Sequence, residues 1–168
     1  MYKRQPLHCA AAAGNGAVVS ALLGRGALIA ARTRAGGGMT ALHLAAERGH
    51  AGVVRALIAG DAAVSAPTQG EEQTALHLAA RGDHTECVGL LINASADLGA
   101  RNMLGGTPLH SAAEGNAVGA LKQLLDAGCD PKTLDYDGWT AQQTADFHDY
   151  DEFTECVRAR EALSLIHI

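Results

Sequence analysis

Apolar positions along the chain fall into two short patterns that alternate. One is a compact run of the form T-x-L-H-x-A-A, written TALHLAA from Thr40, TALHLAA from Thr74 and TPLHSAA from Thr107. The other is an amphipathic stretch with apolar pairs four residues apart: Val53-Val54 with Leu57-Ile58, Cys87-Val88 with Leu91-Ile92, and Ala120-Leu121 with Leu124-Leu125. Near the start of the chain the matching set is Val18-Val19 with Leu22-Leu23. Apolar residues at i, i+3 and i+4 form one buried stripe on an α-helix, so each pattern predicts a short helix.

The boundaries carry matching signals. Threonine opens the first helix of each pair, where its hydroxyl serves as an N-cap. Pro108 follows Thr107 at the first helical position, where its missing N–H does no harm. Paired alanines such as Ala45-Ala46, Ala79-Ala80 and Ala112-Ala113 let a neighbouring helix come close. Gly14, Gly49, Asp83 or Asn116 separates the two helices, and these residue types tolerate positive φ. Polar segments rich in turn formers, RTRAGGG, PTQGEEQ, RNMLGG and DYDGW, follow the second helix as loops or hairpins.

The pair of helices recurs at a fixed period. Thr40 to Thr74 is 34 residues, Thr74 to Thr107 is 33, Thr107 to Thr140 is 33, and QPLHCAA at Gln5 lies 35 before Thr40. The chain is thus five units, starting at residues 5, 40, 74, 107 and 140. Helices this short do not persist alone, so each unit must bury its stripe on the next. T-[AP]-L-H-x-A-A at this period resembles the ankyrin repeat, over nearly the whole chain from Gln5 to about Leu163. The resemblance implies an all-α solenoid of stacked helix-turn-helix units with projecting loops, forming one domain over residues 5–162. It also implies that Thr40, Leu42, His43, Thr74, Leu76, His77, Thr107, Pro108, Leu109 and His110 are structural, each histidine bonding to its threonine and nearby backbone.

Several places depart from the pattern. The first unit carries two extra residues around Gly36, Gly37 and Gly38, which predicts a longer and looser loop. Asp61 and Ser95 replace the usual glycine after the second helix, which predicts poorer capping there. In the fifth unit Gln142 and Gln143 stand in place of Leu and His, as suits a terminal cap. Five of the six aromatic residues lie after residue 135: Tyr136, Trp139, Phe147, Tyr150 and Phe153. They either cover the end of the stack or form a patch for a partner. The ending LSLIHI, residues 163–168, resembles the in-frame translation of a sequencing adapter; the alternative is an apolar end to a capping helix. If the adapter reading holds, the natural chain is expected to run on past Ala162.

Composition narrows the function. Thirteen Lys and Arg against 18 Asp and Glu give a net charge of −5, which disfavours nucleic acid and anionic membrane surfaces. No apolar run approaches the roughly 20 residues of a membrane span. Cys9, Cys87, Cys129 and Cys156 lie far apart, as expected of reduced packing cysteines in an intracellular protein, with Cys129 near a loop as the most exposed thiol. Asn93-Ala94-Ser95 matches a glycosylation sequon, but no secretory signal accompanies it.

Candidate chemistry dissolves on inspection. His43, His77 and His110 form a row, but stacked helices stand about 10 Å apart, too far for shared metal bonds of about 2.1 Å. TLDYDGWT resembles a calcium loop, yet it lacks the Asp at its start and the bidentate Glu at its end. No nucleophile elbow, zinc-protease helix or phosphate loop occurs. The chain is therefore expected to be non-catalytic and to need no cofactor or metal.

The resemblance implies protein binding along the concave face made by loop tips and first helices. Loop-tip candidates are Arg34, Gln69, Glu71, Arg101, Met103, Leu104, Tyr136 and Trp139; first-helix candidates are Glu47, Arg48, Arg81 and Glu114. Aromatic residues and arginine dominate interface hot spots. The alternative for Met103, Leu104 and Trp139 is packing between neighbouring loops, and for Trp139 the two roles weigh evenly. The expected function is a monomeric scaffold or adaptor holding one protein partner. The alternative is the targeting segment of a larger enzyme, channel or ubiquitin-ligase subunit.

Overall fold

The computed structural model of the chain describes residues 6–34 and 36–166. Ten helices occur among them: α1 (Pro6–Ala12), α2 (Gly16–Gly24), α3 (Ala41–Glu47), α4 (Ala51–Ala59), α5 (Ala75–Arg81), α6 (Thr85–Asn93), α7 (Pro108–Glu114), α8 (Val118–Asp126), α9 (Ala141–Phe147) and α10 (Asp151–Ile166). Consecutive helices pair within each unit. Odd-numbered helices then pack in one row, α1 on α3, α3 on α5, α5 on α7 and α7 on α9, while α2, α4, α6, α8 and α10 form the second row. Gln5, the predicted start of the first unit, lies outside the described residues, as do His167 and Ile168.

The paired alanines make the close stacking. Ala45, Ala46, Ala79, Ala80, Ala112 and Ala113 are all fully buried, so the first helices meet almost backbone to backbone. The second-helix stripes form the rest of the core: Val53, Val54, Leu57, Cys87, Val88, Leu91, Ala120, Leu121 and Leu124 are all at most 1% exposed. The first unit differs from expectation. Val19 is buried, but Val18 is 42% exposed, and Leu22 and Leu23 are only partly covered. The stripe of α2 packs on α4, and no described helix lies on its other side.

Every helix from α1 to α9 ends the same way. A residue with positive φ follows the cap: Gly14, Gly26, Gly49, Asp61, Asp83, Ser95, Asn116, Gly128 and Asp149 in turn. Its N–H and that of the next residue fold back onto the last turn, as in the Schellman motif. At Ser95 the bonds run to the Ile92 carbonyl at 2.9 Å and from Ala96 to Leu91 at 3.0 Å. At Asp61 they run to Ile58 and from Ala62 to Leu57, both at 3.0 Å. The expectation of poorer capping at these two ends is therefore corrected, because the hydrogen bonds match those at Gly26 and Gly128. What differs is conformational cost: φ is 63° at Asp61 and 60° at Ser95, where an L side chain is strained. Ser95→Gly is expected to raise stability by about 0.5–1 kcal/mol, and Asp61→Gly by less, since Asp tolerates this region better. Thermal melts should show a gain of a few degrees for Ser95→Gly; an unchanged midpoint would mean the serine is not strained.

The described residues of the long first loop are tied by backbone hydrogen bonds. Thr33 N–H donates to the Met39 carbonyl at 2.8 Å, closing it, and the Gly37 carbonyl accepts from Gln69 N–H at 2.7 Å in the next loop. The extra residues are absorbed by three glycines, Gly36 to Gly38, all with positive φ.

Candidate partner-binding groove

The groove begins with the threonine-histidine device. Thr40, Thr74 and Thr107 N–H donate to Nδ1 of His43, His77 and His110 at 3.1, 3.2 and 3.1 Å. A backbone N–H can only donate, so Nδ1 accepts and the ring proton sits on Nε2. That Nε2 donates into the loop: to Ala66 O at 2.9 Å from His43, to Gly106 O at 3.1 Å from His77, and to Trp139 O at 3.0 Å from His110. Each ring thus spans from the start of a first helix to the loop that feeds the groove. Burial, which disfavours the charged ring, pulls His43 and His77 down to about 4.

Each loop closes as a small hairpin held by its first residue. Thr33 Oγ1 accepts from Met39 N–H, Thr68 Oγ1 from Gln73 N–H, Asn102 Oδ1 from Leu104 and Gly106 N–H, and Asp135 Oδ1 from Asp137 and Trp139 N–H. Neighbouring hairpins then zip tip to tip. Gln69 N–H donates to Gly37 O, Met103 N–H to Glu71 O at 3.0 Å and Tyr136 N–H to Leu104 O at 3.0 Å. Gly105 needs to be glycine twice over, because its φ is 77° and a Cβ would meet the Tyr136 backbone N at 2.7 Å. The tips therefore stand as one continuous wall beside the row of first helices.

Arginines reinforce that wall. Arg32 Nη1 donates to Gly38 O at 2.8 Å and to Pro67 O at 2.7 Å; Arg101 Nη1 donates to Gly105 O at 2.9 Å and to Leu134 O at 2.8 Å. Arg101 also lies over the Tyr136 ring at 6.0 Å. Its guanidinium holds two loops together, a structural duty that the sequence did not reveal.

Histidines also tie the second helices backwards. His50 Nε2 donates to Ala12 O at 3.2 Å and His84 Nε2 to Glu47 O at 3.0 Å. The next unit has Ala117 at that place and compensates differently. Gly115 brings α7 so close to α5 that a Cβ there would overlap the Arg81 carbonyl, while Ala120 N–H donates to Asp83 Oδ1 at 2.7 Å.

All twelve side chains singled out for partner contact are exposed. Glu47, Arg81 and Glu114 end α3, α5 and α7 and so form one row, with Arg48 beside them. Facing the row is the loop wall bearing Arg34, Gln69, Glu71, Arg101, Met103, Leu104, Tyr136 and Trp139. A hollow of about 270 Å³ between row and wall is lined by Glu71, Gln73, Arg81, Asn102, Met103, Leu104 and Glu114. A second, of about 590 Å³, lies further along, lined by Asp135, Asp137, Trp139, Thr144 and Phe147. Phe147 ends α9 at the position of Glu47, Arg81 and Glu114 and is 70% exposed. Register alone places it there; its aromatic character had left open a cap on the stack or a patch for a partner.

The aromatics divide between the two roles. Phe153 is fully buried and Tyr150 partly so, whereas Tyr136 and Phe147 are each 70% exposed and Trp139 39%. In the fifth unit Gln143 takes over half of the histidine device: its Oε1 accepts from Thr140 N–H at 2.9 Å. The cysteine expectation needs correcting. Cys9 is exposed, whereas Cys129 is partly buried against the hydrophobic core, and burial pushes its thiol up to about 11, as it does for Cys87.

No described helix is long and apolar enough to cross a membrane. A family model described as ankyrin repeats matches residues 2–68 and 61–135. A human espin-like protein is 38% identical over 58 residues, a stretch covering 34% of this chain and 6% of that protein.

Proposed function

The chain belongs to the ankyrin-repeat family, whose arrays are in general protein-binding modules, and we propose that it is a non-catalytic scaffold that holds one protein partner in this groove. The observation that carries the reading is the wall of hydrogen-bonded hairpins facing the row of helix ends. A surface fixed before binding loses little entropy when a partner docks. Met103, Leu104 and Tyr136 at 56%, 59% and 70% exposure are the apolar anchors on that surface. The reading is of a monomer working inside the cell, with no nucleic acid, metal or cofactor. A second reading is supported by the human relative, of which the chain spans about 6%: the array is the recognition segment of a longer protein. The groove works alike in either case.

Met103→Glu and Tyr136→Ala are expected to abolish partner capture by immobilised protein while leaving helicity unchanged. Arg55→Ala is the control. Its ion pair with Glu86, at 3.2 Å, joins α4 to α6 in the second row, away from the groove. Equal loss of capture in all three variants would refute the groove as the binding face. Arg101 is unsuitable for this test because its removal also unties two loops.

A further inference from the structure

The last unit changes the chemistry of the groove. Trp139 and Phe147 meet edge to face, with ring centroids 5.5 Å apart and planes at 79°. They share an open hollow of about 590 Å³ with Asp135 and Asp137. Earlier along the groove the helix-end position holds Glu47, Arg81 or Glu114, and the hollow there mixes both signs of charge. At the last unit a ring replaces the charge, and the charge that remains is negative.

Asp135 shows why that charge matters. Its Oδ1 holds the hairpin, accepting from Asp137 N–H at 3.0 Å and Trp139 N–H at 2.9 Å. Asn102 performs the same task one unit earlier with a neutral amide, accepting at 3.0 and 2.9 Å. Thr33 and Thr68 do it with a hydroxyl. The turn therefore does not need a carboxylate, and Asp135 brings a charge surplus to it. Asp137 adds another. Neither forms an ion pair among the described residues, and Arg101, on the adjoining loop, is committed to the Gly105 and Leu134 carbonyls. Two aromatic rings beside two carboxylates suit one kind of guest. A cation gains from ring faces and carboxylates together, an anion is repelled, and a neutral apolar group strips water from the carboxylates without compensation.

We infer that this hollow receives a cationic side chain, lysine or arginine, of the protein partner. The inference rests on the groove being the partner face and adds what one end of that face selects. Trp139 is the chain's single tryptophan, so its emission reports on this hollow alone.

The test is a fluorescence titration of the whole chain with acetylated tri-arginine amide and tri-lysine amide, with tri-glutamate as control. Either cationic peptide is expected to shift Trp139 emission saturably, and tri-glutamate is not. Asp135→Asn with Asp137→Asn, a change that Asn102 shows the turn accepts, is expected to weaken binding roughly tenfold, and Phe147→Ala similarly. Glu86→Gln with Glu155→Gln, equal in charge change but outside the groove, is expected to weaken it less than about twofold. The inference fails if cationic peptides leave Trp139 unmoved, or if the outer pair weakens binding as much as the aspartate pair. Loss of capture by Met103→Glu beside an unmoved Trp139 leaves the groove reading intact and removes only this inference. Retained capture in every groove variant removes the groove reading, while the titration still reports on the hollow.

Discussion

Lowering the pH from 7 to 4.5 is expected to destabilise the array by several kcal/mol, with His43 and His77 as the source. Both rings are neutral in the folded chain, held down to about 4, against about 6.5 when exposed. Between those two values the unfolded chain binds protons that the folded chain refuses. Stability is therefore complete above about 6.5 and falls as pH drops toward 4, by roughly 1.4 kcal/mol per pH unit for each ring. Hydrogen bonding points the same way. Nδ1 already accepts from a backbone N–H at 3.1 Å in His43 and 3.2 Å in His77, so a second ring proton would face a donor. Urea unfolding at several pH values measures the slope. His43→Gln with His77→Gln should flatten it, because glutamine can accept from the threonine N–H as Gln143 does at 2.9 Å. The double variant should be weaker than the parent at pH 7.5, since it loses both Nε2 bonds to the loops, and the gap should narrow as pH falls. An unchanged slope in the double variant would place the acid sensitivity elsewhere.

Local periodicity made the scaffold legible. Threonine caps, alanine pairs and apolar stripes each follow from one or two turns of helix, and repetition removed ambiguity about register. Ser95 and Asp61 are visible as departures from the repeat, but the side chain does not decide the cap. The Schellman bonds are made by backbone, which a side chain only strains. The loop wall was not legible, because its bonds join backbones 32 residues apart. Arg101 could be recognised as an exposed arginine in a loop, yet nothing in its neighbours reveals that its guanidinium reaches the Leu134 carbonyl. Phe147 was legible only as one of several late aromatics suited to a cap or a partner patch. Its place in the groove follows from counting seven residues into each first helix.

Phe153→Ala is expected to cost about 3–5 kcal/mol, the range for emptying a buried aromatic site. Phe153 is fully buried and stands two residues into α10, where α4, α6 and α8 place Val53, Cys87 and Ala120. Four residues further, Val157 replaces the leucines Leu57, Leu91 and Leu124. The last unit thus moves bulk from one stripe position to the other, and the phenylalanine is the larger share of its core. Three polar ties of α10 to α8 and α9 are weak beside that loss. Arg160 meets Asp126 at 2.7 Å and Arg158 meets Asp146 at 4.0 Å, but such exposed pairs contribute about 0–1 kcal/mol each. Thr154 Oγ1 donates to Asp146 Oδ1 at 2.6 Å, one hydrogen bond to α9. Because each unit touches only its neighbours, this loss should stay at its own end of the array. Urea unfolding followed by Trp139 emission should move to lower denaturant than unfolding followed by helicity, so that the two curves separate. Leu91→Ala, in the middle of the stack, should shift both curves together. Coincident curves in Phe153→Ala would mean that the fifth unit unfolds only with the whole array, its interface with the fourth unit being stronger than its own core.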